Sequence, residues 1–132
     1  MTILVAYVAR PEGQAALEKG IEIAKRRNEY LLVVNASPGG GKDDPSALDV
    51  QDYERVQRLL NEAGIDAEIK QFVRGKSVVE EIEALIESLS ASLLIIGLRK
   101  RSAIGKLIMG SVAQELLLSI SCPILAVKAG GI

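Results

Sequence analysis

Residues 93–111 read LLIIGLRKRSAIGKLIMGS. Four apolar residues, Leu93 to Ile96, run without alternation, as in a short strand covered on both faces. Gly97 follows, then a basic stretch, then Gly110-Ser111 at the head of an amphipathic run, Val112 to Ile120. Strand, glycine-bearing loop and helix in that order form one arm of a β-α-β unit. The same parts suit an anion. The first N–H groups of a helix lack intrahelical partners and carry partial positive charge, and glycine lets backbone approach a ligand closely. The stretch fits neither G-x-x-x-x-G-K-[ST] nor G-x-G-x-x-G.

Outward from this stretch the chain alternates in the same way. Ile3 to Ala9 is a buried-strand run, and Pro11 suits the first position of a helix. Ala16/Leu17, Gly20/Ile21 and Ala24 recur at helical spacing before Lys25-Arg26-Arg27 at its C-terminal end. Tyr30 to Ala36 predicts a second strand, and Ser37 to Asp44, with Pro38 and three glycines, a loop. Tyr53, Val56, Leu60 and Ala63 form a helical stripe opened by a Ser46/Asp49 capping box and closed by Gly64. Ala67, Ile69 and Phe72/Val73 predict a third, less apolar strand nearer an edge. Ser77 with Glu80 caps a helix bearing Val78, Ile82, Leu85/Ile86 and Leu89. Ser111, the expected N-cap, pairs with Gln114 in a helix that turns Val112, Leu116/Leu117 and Ile120 inward. Pro123 to Val127 is the fifth strand. Such a pattern predicts one α/β domain over residues 1–132, a parallel sheet with helices on both faces.

Composition narrows the chemistry. The chain has 132 residues and a net charge of −1, so any basic site is local, and the molecule as a whole has no pull toward nucleic acid or anionic membrane. Aromatic residues make up 3% and Trp is absent, which removes stacking platforms for single strands. The lack of His excludes Ser-His-Asp and Cys-His catalysis and histidine metal sites. One cysteine, Cys122, permits no internal disulfide and suits a reducing cytoplasm. It reads as a small buried hydrophobe before Pro123. No segment has the length of a membrane span, and the apolar start lacks the basic region of a signal peptide. The carboxylates fall on helix exteriors, with no pair at metal-ligand spacing.

These features resemble the universal stress protein family over essentially the whole chain. The family pattern G-x2-G-x9-G-[ST] is met by Gly97, Gly110 and Ser111, and the tail SCPILAVK is similar to the family's Cys-Pro-Val-Leu-Val-Val ending. Two positions depart: Lys100 replaces the second glycine, and Val8, Ala9 and Arg10 stand where ATP-binding members carry Asp-Gly-Ser. The resemblance implies an open five-stranded sheet of order 3-2-1-4-5, Rossmann-like and adenine nucleotide alpha hydrolase-like. The crevice then lies between the loops of strands one and four, at the reversal of strand order. It implies an adenine nucleotide, ATP or another, with or without Mg²⁺, and a homodimer through the last strand, Ile124 to Val127, an edge open to pairing.

The residues expected to hold the nucleotide are Val8, Ala9, Arg10, Val34, Gly97, Arg99, Lys100, Gly110, Ser111 and Val112. Arg99, Lys100, Arg101 and Lys106 form either a solvated basic face or a polyphosphate clamp. Lys100 either blocks the cradle or supplies charge to it. Arg10 either binds phosphate or closes the pocket by pairing with an acid. Asn35 either reads a base or ribose or caps a turn. The expected role is that of a binding module in the stress response. A dimeric scaffold without nucleotide is the alternative, and a weak ATP hydrolase ranks last because the strand-one Asp is absent.

Overall fold

The computed structural model describes residues 1–36, 49–71, 77–100 and 107–129, apart from the side chains of Lys100, Leu107 and Ile108. Along the chain these form β1 (Thr2–Tyr7), α1 (Pro11–Arg27), β2 (Tyr30–Asn35), α2 (Val50–Ala63) and β3 (Ala67–Lys70). They continue as α3 (Val78–Leu89), β4 (Leu93–Lys100), β5 (Leu107–Ile108), α4 (Ser111–Ser119) and β6 (Ile124–Lys128).

Five of the strands make one parallel sheet in the order β3-β2-β1-β4-β6. This is the expected 3-2-1-4-5 order, with β6 as the fifth parallel strand. Period-two alternation divides the central strands between two cores. Ile3, Val5 and Tyr7 face α1 and α2 with Leu17, Val56 and Leu60. Leu4, Ala6, Leu32 and Val34 face α3 and α4 with Ile82, Ile86 and Leu116. Burial on both sides explains why β1 reads as an unbroken apolar run. Edge strand β3 alternates half-buried and exposed residues, as its weaker apolar character predicted.

Local signals set the helix ends. Pro11 opens α1, the basic residues Lys25, Arg26 and Arg27 occupy its last turn, and Asn28 ends it in the left-handed region at φ 54°. Ser77 Oγ accepts from the N–H of Glu80 at 3.3 Å and caps α3 as expected. The cap of α2 is Asp49, whose carboxylate accepts from the Asp52 N–H at 2.8 Å; its expected partner Ser46 lies outside the described residues. Phe72 and Val73 also lie outside them, and β3 ends at Lys70.

Three expectations are corrected. β4 does not stop at Gly97. It runs on to Lys100 and pairs antiparallel with β5 through Arg99↔Ile108 and Lys100↔Leu107. Ser111 is not the N-cap of α4. Gly110 is, in extended backbone at φ −66° and ψ 161°, and its carbonyl accepts the first helical bond from Gln114 N–H at 3.0 Å. Leu117 does not turn inward. It is 49% exposed while Leu116 is fully buried, because one residue is a 100° step around the helix. Among the described residues no helix is long and apolar enough to cross a membrane.

A polar link joins the layers on the α1/α2 side. Buried Tyr7 accepts at its hydroxyl from Arg55 Nη2 at 2.7 Å, and Arg55 Nη1 donates to Gln14 Oε1 at 2.8 Å. One guanidinium thus ties α2 to β1 and α1. Burial raises the Tyr7 phenol above its ordinary pKa, against the opposing pull of Arg55. Arg55→Ala is expected to lower unfolding free energy by about 1–3 kcal/mol, since it strands a buried hydroxyl; urea denaturation checks this.

Candidate functional site

The carboxyl ends of β1 and β4 lie side by side at the centre of the sheet, where the strand order reverses. A cleft of about 310 Å³ opens there. Its floor comes from residues that alternate on the α3/α4 face of the sheet: Ala6 and Val8 from β1 and its extension, Ile96 from β4, and Ala36 after β2. Ala113 and Leu116 of α4 form the opposite wall. Ala6, Ala36 and Ala113 are small, so a hollow remains where larger side chains would meet.

Close approach of α1 shapes the rim. A Cβ at Gly97 would overlap the carbonyl of Glu12, and a Cβ at Gly13 would overlap the carbonyl of Val8. The two glycines let the first turn of α1 settle onto the ends of β1 and β4. Gly97 therefore serves helix packing in mid-strand, opposite Val127 of β6, and not a strand-ending turn. Gly110 differs: a Cβ there would meet nothing within 4 Å, and its φ of −66° suits any residue. Among the described residues nothing requires glycine at 110. Gly110 itself lines the cleft.

Seven expected residues line the cleft together: Val8, Arg10, Gly97, Arg99, Gly110, Ser111 and Val112. Ala9 instead packs against the α1/α2 core, and Val34 is fully buried in the α3/α4 core. The backbone of Lys100 ends β4; its side chain lies outside the described residues, as do Arg101 and Lys106. Asn35 is not among the lining residues of the cleft, and it donates from Nδ2 to the Tyr7 carbonyl at 3.2 Å. Sequence reading missed Ala6, Glu12, Ala36, Ile96, Ala113 and Leu116. Strand alternation from Val8 back to Ala6 would have found one of them. Glu12 carried no signal beyond its place in the first turn after the strand-one loop.

The polar equipment is concentrated at one end. The N–H groups of Ser111, Val112 and Ala113 precede the first helical bond of α4 and have no intrahelical acceptor. Because Gly110 is the cap, the Ser111 hydroxyl sits at the first helical position, exposed at the cleft. Arg10 and Arg99 add two guanidiniums, the group best matched to phosphate or carboxylate. Cys122 lies at the opposite, amino-terminal end of β6. Burial pushes its thiol pKa up, which makes it a poor nucleophile.

A family model described as the universal stress protein family matches residues 1–128. The chain belongs to this family. It is 45% identical over 129 residues to a universal stress protein of Mycolicibacterium smegmatis, covering 98% of each chain. Among solved structures, a universal stress protein of Archaeoglobus fulgidus superposes with a TM-score of 0.75 at 29% identity, covering 96% of this chain and 97% of that one. A second structure from A. fulgidus, described as a complex with dAMP, has a TM-score of 0.70 at 22% identity and 96% coverage of both chains. At that identity the likeness concerns the fold.

The two glycines are separable by stability. Gly97→Ala should destabilise by about 1–3 kcal/mol, as overpacking against main chain does. Gly110→Ala should stay within roughly 1 kcal/mol of the parent, the lost flexibility of the unfolded chain offsetting a weaker cap. Thermal and urea unfolding of both variants provide the check.

Proposed function

We propose that the cleft binds an adenine nucleotide and that the protein acts through its occupancy. The observation that carries this reading is the head of α4. Three residues whose N–H groups have no intrahelical acceptor, Ser111 with its hydroxyl among them, line a cleft that two arginines also line, beside a glycine at which a Cβ would meet nothing within 4 Å. A phosphate seated there gains charge-assisted hydrogen bonds and the helix dipole together. Ala6, Val8, Ala36 and Leu116 offer apolar walls to a base at the other end. The dAMP complex of the A. fulgidus relative supports the same ligand class. The volume of about 310 Å³ lies at the low end for small-molecule sites, which suits one mononucleotide.

Binding shifts the protein only as far as the ligand prefers one state over another. No acidic side chain replaces the strand-one Asp at Val8. No group of three or more His, Cys, Asp or Glu residues that could hold a metal occurs among the described residues. A Mg²⁺ ion would come bound to the phosphates of the nucleotide, as it ordinarily does where the protein offers no cage of ligands. The reading is of a cytoplasmic binding module and not of a hydrolase.

The expected second copy of the chain pairs through β6. This strand has β4 on one side, and its other edge is the end of the five-strand order. Ala126 is exposed, and Ile124, Leu125 and Val127 are half-buried; on α4, which precedes β6 in the chain, Leu118 is 87% exposed. An apolar edge of this kind recruits another strand. Light scattering should report a dimer that Ala126→Lys converts to a monomer; a parent monomer at high concentration would end this proposal.

The nucleotide reading is tested by thermal shift with AMP, cyclic AMP, ADP and ATP–Mg²⁺. A true site raises the melting temperature with ligand concentration, by an amount equivalent to about 2.7 kcal/mol at a hundredfold excess over Kd. Gly110→Asp, which brings a carboxylate to the phosphate seat, should abolish the shift, and Arg99→Ala should weaken binding roughly tenfold. Absence of a shift with every ligand at millimolar concentration would leave the scaffold reading in its place.

A further inference from the structure

Among the described residues three charged side chains line the cleft: Arg10, Glu12 and Arg99. No ion pair among the described residues joins the carboxylate to either guanidinium. Glu12 Oε1 is shut away from water and has no hydrogen-bond partner. A buried carboxylate oxygen left bare is costly, and opposite charges in one hollow ordinarily pair. A ligand carrying both an anion and hydrogen-bond donors would satisfy both halves of this set.

The place of Glu12 says which donors. It stands in the first turn of α1, with its main chain against Gly97 of β4. The phosphate seat at Gly110-Ser111 opens α4, the helix that leads into β6 on one side of β4. Ala36, after β2, lies to the other, across β1. A carboxylate at the phosphate seat would repel the ligand. At the far end the lining is apolar: Ala6, Val8 and Ala36. What remains for Glu12 is the middle of the ligand. In a nucleotide the middle is the sugar, whose hydroxyls are neutral donors.

We infer that Glu12 accepts hydrogen bonds from the sugar hydroxyls of the bound nucleotide and so selects ribonucleotides over analogues lacking those hydroxyls. This inference rests on the nucleotide reading and adds a specificity residue to it. Glu12 is the one carboxylate among the described lining residues, and it enters from the helix after a strand whose own end, Val8, has no polar group to offer.

Calorimetric titration of AMP and 2′,3′-dideoxy-AMP into the parent, Glu12→Gln and Glu12→Ala separates the possibilities. The parent should bind AMP roughly tenfold more tightly than the dideoxy analogue, the value of a hydrogen bond to a charged group. Glu12→Ala should bring AMP down to the level of the analogue and leave the analogue unchanged or slightly tighter. Glu12→Gln, whose amide oxygen still accepts, should keep part of the preference. Equal losses for both ligands, or no change in either, would overturn the inference. So would a Glu12-dependent preference for AMP over IMP, which assigns the residue to the base amine. A parent that binds both ligands equally would sink this inference and leave the nucleotide reading standing. A parent that binds neither would sink both.

Discussion

The close seating of the first turn of α1 on the ends of β1 and β4 governs the rest of the architecture. It requires main chain to meet main chain, which a Cβ at position 13 or 97 would prevent. With the helix lowered, Arg10 and Glu12 reach over the rim of the sheet into the cleft on its other face. Raised by the width of a methyl group, the same turn would carry both side chains away from the head of α4. A packing constraint thus sets the electrostatics of the site. The lower core depends on it as well, since Ala16, Leu17 and Ala24 descend from that turn into contact with Ile3, Val5 and Ile95.

The cleft joins two unlike surfaces. The sheet side is small and apolar, and the α4 end offers backbone donors and guanidiniums. Backbone donors fixed by a helix need little rearrangement when an anion arrives, whereas arginine side chains must be ordered. The helix head is therefore the more permanent part of the site, and the guanidiniums tune it. Glu12 complicates this balance, because a negative charge within the same hollow is tolerable only if the ligand has something to give it.

Much of the fold was legible because its strongest signals were redundant. Unbroken apolar runs at Ile3, Tyr30 and Leu93 marked central parallel strands. Pro11, Gly64 and the Ser77/Glu80 pair marked helix ends. Errors arose where one residue type serves two purposes. Gly97 looked like the end of a strand because glycine commonly punctuates turns. In fact Leu98 is buried and Arg99 exposed, so the alternation of a strand continues past it. Ser111 with Gln114 has the spacing of a capping box, yet Gly110 already occupies the cap, and the box is one residue out of register. Most of the cleft followed from topology once strands one and four were neighbours. Glu12 escaped because its importance lies in the absence of a partner, which no spacing rule encodes.

The empty space beside Gly110 separates the fate of the ligand from that of the fold. A methyl at that point meets no described protein atom within 4 Å, so the stake of the fold in the choice is confined to the cap of α4. A single base change in a glycine codon is enough to introduce it. Descendants of such a chain could therefore give up their small-molecule partner in one step while remaining fully folded, and recover it as easily, so that drift between sensing and purely architectural duties would leave hardly a trace in the core.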